Sequence, residues 1–89
     1  MTQQEFLDSL IAKGFPVPTL VEQTPLGELD IHVHPFEVMA LVLKGSISIA
    51  IANQESVYLA GDVFHLNFEE PHSEKYGPNG VQYLASRKG

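Results

Sequence analysis

Three histidines are the residues of this chain best suited to chemistry. His32 and His34 stand two apart within the run Gly27 to Gly45, and His72 follows much later. Neutral imidazole is a good ligand for zinc, iron, nickel and copper. Successive side chains on a strand point to opposite faces, so residues two apart share one face. His32 and His34 can therefore aim at a single point. If His72 joins them, three nitrogens hold a metal and leave a position open for water or substrate, the pattern of a catalytic rather than a structural site. The spacing by itself also fits surface or pocket histidines that bind nothing, and slightly favours that reading. The chain has no cysteine, which excludes disulfides, thiolate metal sites and thiol nucleophiles. No nucleophile–base pair or paired carboxylate stands out, so chemistry without a metal has little support.

The elements that must position these rings are short strands. Thr19 to Gln23, Glu28 to Val33, Glu37 to Leu43, Ser46 to Ala52, Ser56 to Leu59, Val63 to Leu66, His72 to Tyr76 and Val81 to Ser86 all read as strands. Lys44-Gly45, Asn53-Gln54, Ala60-Gly61-Asp62 and Gly77-Pro78-Asn79-Gly80 read as turns between them, and Asn67 to Pro71 as a loop. Seven or eight close-spaced strands predict an antiparallel sandwich or barrel. Thr2 to Lys13 reads as a helix. Thr2 and Glu5 form a capping box, Phe6, Leu7, Leu10 and Ile11 an apolar stripe, and Gly14 and Pro16 a stop. Val38 to Leu43 is apolar on both faces, so the helix or a second subunit must cover the outer one, and a homodimer is expected.

The bulk numbers narrow the partners. At 89 residues and 44% hydrophobic content the chain suits one small globular domain, for which a metal or a second copy would add stability. The net charge of −6 argues against nucleic acid and against an anionic membrane surface. The start of the chain lacks a basic leader pattern, and the longest apolar run is far too short to span a bilayer. A soluble, cytoplasmic location is expected.

Two stretches resemble a known family. Gly27, His32-Val33-His34-Pro35-Phe36-Glu37 and Leu43-Lys44-Gly45 resemble the first motif of the cupin superfamily: a glycine, His-x-His, an acidic residue or histidine, then a glycine. Ala60-Gly61-Asp62-Val63-Phe64-His65-Leu66 and Pro71-His72 resemble the second, with eleven residues from Gly61 to His72. With their flanking strands the motifs cover Thr19 to Arg87. The resemblance implies an all-β fold, a double-stranded β-helix or jelly-roll barrel, with a short N-terminal α-helix. The chain would be a single domain over residues 1–89, with the helix within 1–15 and the barrel within 19–87. It implies a divalent transition metal inside the barrel (iron, manganese, nickel or zinc, with copper also known in the family) held by His32, His34 and His72. A small-molecule ligand or substrate would meet it there. The family includes dioxygenases, isomerases and decarboxylases as well as sensors and storage proteins. A metal-dependent dioxygenase or isomerase and a non-catalytic metal- or ligand-binding module are therefore both expectations.

The departures from the family pattern matter as much. The usual fourth ligand stands four residues after the second histidine, where this chain has Val38. Glu37 is one residue earlier and points the other way on a regular strand, unless a bulge after Pro35 turns it inward. In the second motif Asn67 and Glu69 replace a proline and a glycine, and Tyr76 replaces an asparagine. His72, Glu74 and Tyr76 alternate and so share a face, which makes Tyr76 a candidate pocket residue. Glu74 on that face must pair, with Arg87, Lys75 or solvent, or lie past the barrel edge. His65 is a further candidate for the pocket or the metal. Phe36, Phe64, Phe68 and Met39 are candidates for an apolar wall. Asp30 shares the histidine face and could orient an imidazole.

Overall fold

The computed structural model describes residues 1–89. The helix α1 spans Gln3–Ala12, and six strands follow: β1 Thr19–Gln23, β2 Glu28–His32, β3 Glu37–Ile51, β4 Gln54–Leu59, β5 Val63–Leu66 and β6 His72–Lys88. All pairings are antiparallel. The fold is mostly β, with strands over 58% of the chain.

Two long strands form the spine. β3 and β6 pair along their lengths, from Glu37 opposite Lys88 to Ala50 opposite Ser73. Each takes different partners at its two ends. β3 pairs with β5 through Val38–Leu41 and with β4 through Ser46–Ile51. β6 pairs with β2 near His72 and with β1 through Val81–Ala85. The sequence divides each spine strand in two, at Lys44-Gly45 and at Gly77–Gly80, whereas the structure runs each on as one. The reason lies at the bend. Gly45 and Gly80 both have positive φ, and a Cβ on Gly45 would lie 2.1 Å from the Gly80 carbonyl oxygen. Only glycine lets the two backbones approach so closely.

The bend also changes which residues face inward. Register shifts in β3 lie between Val42 and Lys44 and between Gly45 and Ile47. Val38, Ala40 and Val42 face the barrel core before them, and Ile47 and Ile49 after them. One added residue moves every later side chain to the other face, as a bulge must. In β6 the buried set changes likewise, from His72, Glu74 and Tyr76 to Val81, Tyr83 and Ala85.

The outer face of β3 is covered by the helix. Met39 and Leu41 pack in a second cluster with Phe6, Leu10 and Phe15. The capping box forms as expected, with the Glu5 N–H donating to Thr2 Oγ1 at 3.1 Å and the Thr2 N–H to Glu5 Oε1 at 2.9 Å. Ile11 leaves the expected stripe and is 77% exposed. The β3–β4 turn also differs. Its two central residues are Ala52 and Asn53, both at positive φ, rather than Asn53 and Gln54. A two-residue hairpin with this hand of twist needs both central residues there.

Candidate metal centre

The cross-strand register brings the first two rings together. His32 in β2 lies directly opposite His72 in β6. Such a pair puts two side chains on one face at contact distance. Their ring centroids are 4.3 Å apart. His34 follows β2 in the loop, with centroids 4.9 Å from His32 and 5.3 Å from His72. The loop before β6 holds it, because the Glu69 N–H donates to the His34 carbonyl at 2.9 Å. Glu69 itself sits at positive φ, so the left-handed turn forms without the motif's glycine.

A fourth group completes the cluster. One ligand atom each from His32, His34, His72 and Glu74 lies within 4.8 Å of the others. Glu74 comes from β6, two residues after His72, not from the first motif. Val38, at the usual fourth-ligand position, is buried in the apolar core. The expected partners of Glu74, Arg87 and Lys75, are not the ones it takes. It lies 7% exposed, with Oε2 at 3.3 Å from His32 Nε2 and 3.2 Å from His72 Nε2. Its other oxygen, Oε1, accepts from the Tyr76 hydroxyl at 3.2 Å. The alternation of His72, Glu74 and Tyr76 was the sequence signal for this carboxylate.

Hydrogen bonds fix the tautomers of two rings. His32 Nδ1 lies 2.7 Å from the Asp30 carbonyl oxygen, and His72 Nδ1 lies 2.9 Å from that of Glu70. A carbonyl only accepts, so both Nδ1 atoms carry the proton. Asp30 thus orients His32 through its backbone, not its side chain. His72 Nε2 lies within hydrogen-bond distance of Glu74 Oε2, and His32 Nε2 lies 3.3 Å from the same oxygen. His32 Nε2 is buried and has no hydrogen-bond partner. A buried unsatisfied polar atom is costly. A cation held between the two Nε2 atoms and the carboxylate would satisfy it. The donor set, three imidazoles and a carboxylate, suits a divalent transition metal. Tyr76 and the two carbonyls are the outer partners that orient such ligands.

The electrostatics agree with this chemistry. Burial, then the neighbouring His32 and His72, holds the His34 imidazole below the usual histidine range, which favours the neutral, ligating form. Burial and then the Glu74 charge keep the Tyr76 hydroxyl protonated far above the usual tyrosine range.

Two candidates stand elsewhere. Glu37 and His65 bind each other, His65 Nε2 to Glu37 Oε2, at side-chain exposures of 36% and 38%. They lie outside the four-residue cluster. Of the expected apolar wall, Phe36 and Phe64 line a cleft of about 50 Å³ beside the cluster, together with Val38 and Leu66. Met39 instead packs against the helix, and Phe68 is 56% exposed. No helix is long and apolar enough to cross a membrane.

No family model matches the sequence, and no curated protein matches it. Solved structures do match the fold. A cupin-2 domain protein from Shewanella frigidimarina aligns with a TM-score of 0.69 at 18% identity, over 84% of this chain and 79% of that one. A cupin superfamily protein from Desulfitobacterium hafniense aligns at 0.68 and 16% identity, over 78% and 62%. A variant of oxalate decarboxylase from Bacillus subtilis aligns at 0.70 and 19% identity, over 78% of this chain but 20% of that one. The chain thus spans most of the first, under two thirds of the second and a fifth of the third. At these identities the likeness is one of fold, and the fold is the cupin barrel that the two histidine motifs imply.

Proposed function

We propose that the barrel holds one divalent transition metal on His32, His34, His72 and Glu74 and presents it to a small molecule in the adjoining cleft. Iron, manganese, nickel and zinc all suit the donors. The observation that carries this reading is His32 Nε2, buried, unpartnered and aimed at the same Glu74 oxygen as His72 Nε2. When bound, such an ion supplies Lewis-acid activation of a coordinated oxygen and, if it is iron or manganese, redox chemistry. The chain's own residues do the rest. Tyr76 holds the Glu74 carboxylate in place, the Asp30 and Glu70 carbonyls hold two rings in the ligating tautomer, and Val38, Phe64 and Leu66 keep the cleft apolar.

The test is metal analysis of untagged protein by mass spectrometry, with His32→Ala and His72→Ala alongside. Stoichiometric metal in the native chain and none in the variants supports the site. Native protein that takes up no metal from any of the four ions would sink it. An oxygen-consumption and isomerisation screen over small enols, catechols and carbonyl compounds then separates an enzyme from a binding module: metal without turnover identifies the module. We also propose a homodimer. The end strand β4 leaves Val57 and Leu59 58% and 55% exposed, and a single-chain mass in sedimentation equilibrium would remove that proposal.

A further inference from the structure

Arg87 is the only arginine in a chain with eleven acidic residues, yet no carboxylate lies within 4.0 Å of its guanidinium. It sits near the end of β6, opposite Val38, two residues beyond the buried Ala85. On a strand that spacing continues the inward face past the core, so Arg87 stands at the barrel mouth. Its guanidinium carbon lies 5.5 Å from the centroid of Phe36, which in turn stacks on His34 at 4.9 Å with the planes 9° apart. An arginine over an aromatic face is held by cation–π attraction and loses less freedom on binding a partner. Arg87 also lines the same cleft as His34 and Glu74. The cleft is therefore lined by two of the four donors, His34 and Glu74, by the chain's one guanidinium, and by apolar side chains.

We infer that Arg87 anchors the carboxylate of a short organic acid bound in this cleft. This inference rests on the metal reading above, because without a cation the Glu74 charge in the same cleft repels an anion. With a divalent ion the local sign reverses, and an acid with a second oxygen can meet both the ion and the guanidinium. Arginine is the residue that grips a carboxylate through two parallel N–H donors, and an apolar wall strengthens the pairing. Size sets the class. A cleft of about 50 Å³ holds roughly three to five water-sized groups, at about 10–15 Å³ each. That favours a two-carbon acid of about five non-hydrogen atoms, such as glycolate, over a fatty acid or a sugar acid.

The experiment uses the full chain loaded with Co²⁺, whose visible spectrum reports ligands added at the ion. Metal content is measured separately in every sample. Glycolate, glyoxylate, hexanoate and glycolamide are titrated at constant ionic strength into the native chain, Arg87→Gln and Arg87→Lys. Glycolate and glyoxylate, each with a carboxylate for Arg87 and a further oxygen for the ion, are expected to saturate the native protein, while hexanoate and glycolamide do not. Arg87→Gln should weaken glycolate about 10- to 100-fold, the range of a charge-assisted hydrogen bond, with Co²⁺ content and melting temperature unchanged. Arg87→Lys should recover part of that loss, since it keeps the charge but not the fork. Equal glycolate affinity in native and Arg87→Gln protein at full metal content overturns this inference and leaves the metal centre standing. Failure of the native chain to bind Co²⁺ overturns both.

Discussion

Two glutamates in this barrel each meet histidine nitrogen, with different consequences. Glu37 and His65 pair on the outer side of the sheet, each more than a third exposed. Glu74 meets His32 and His72 inside, where the glutamate and His72 side chains are 9% and 1% exposed. Solvent can satisfy whatever the outer pair leaves unmet, and it screens the charges. The inner group has no such recourse. Its ring tautomers are set by backbone carbonyls, its carboxylate by Tyr76, and one nitrogen is left without a partner. The same two residue types make an exposed imidazole–carboxylate contact in one place and a candidate ligand set in the other. Burial and fixed orientation decide which.

The contrast can be broken most directly by swapping the target. Glu74→Ala should lower metal affinity by more than about 100-fold, beyond the roughly 10- to 100-fold that loss of an outer partner brings, whereas Glu37→Ala should leave it unchanged. Competition with a calibrated chelator reads both. Equal losses would mean the two groups are not distinct in the way described.

Metal removal should be the next largest effect. A ligand at about 100 times its Kd adds about 2.7 kcal/mol, which for a chain this size is roughly 10 °C or more in Tm. Chelator should lower the Tm of the native and Glu37→Ala proteins by that order and leave the Glu74→Ala protein unmoved. Calorimetry on the three, with and without chelator, checks this. Tyr76→Phe comes third. It removes only the hydroxyl that donates to Glu74 Oε1, and about a tenfold loss of metal affinity is expected, with the fold intact by circular dichroism.

Acidification sharpens the comparison further. His34 is held below the usual value of 6.5, so the folded chain binds fewer protons there than the unfolded chain does. That contribution to metal-free stability is fully present above about pH 6.5 and is lost as pH falls through the lower folded value. Urea midpoints of metal-free protein at about pH 7.5 and about pH 5.5 should fall at the lower pH, and less so in His34→Gln. The smallest effect belongs to the outer pair. Glu37→Gln should change stability by no more than about 0.5 kcal/mol, and less in high salt.

Much of this was legible in the residues. The capping box, the strand alternation, the His-x-His spacing and the glycine-to-histidine interval of the second motif all point to the fold, because they are local patterns with fixed periods. Glu74 was visible as a side chain sharing a face with His72, but not as a member of the histidine cluster. Local pattern cannot say whether an inward carboxylate meets Arg87, thirteen residues on, or His32 across a strand. The turn at Ala52-Asn53 escaped for a related reason. Alanine carries no mark for positive φ, and the register of β3 against β4 imposes it.

By itself the sequence determined that the chain makes short antiparallel strands, that His32 and His34 share a face, and that a stripe on α1 seeks an apolar surface. These are consequences of side-chain periodicity along a few residues. The tertiary structure alone decided that Glu74 rather than Glu37 joins the histidines, that the helix covers the outer face of β3, and that Arg87 stands unpaired at the mouth. Each depends on register between strands far apart in the chain and on where bulges reverse the inward face, and a one-residue slip would have reversed every one of these outcomes.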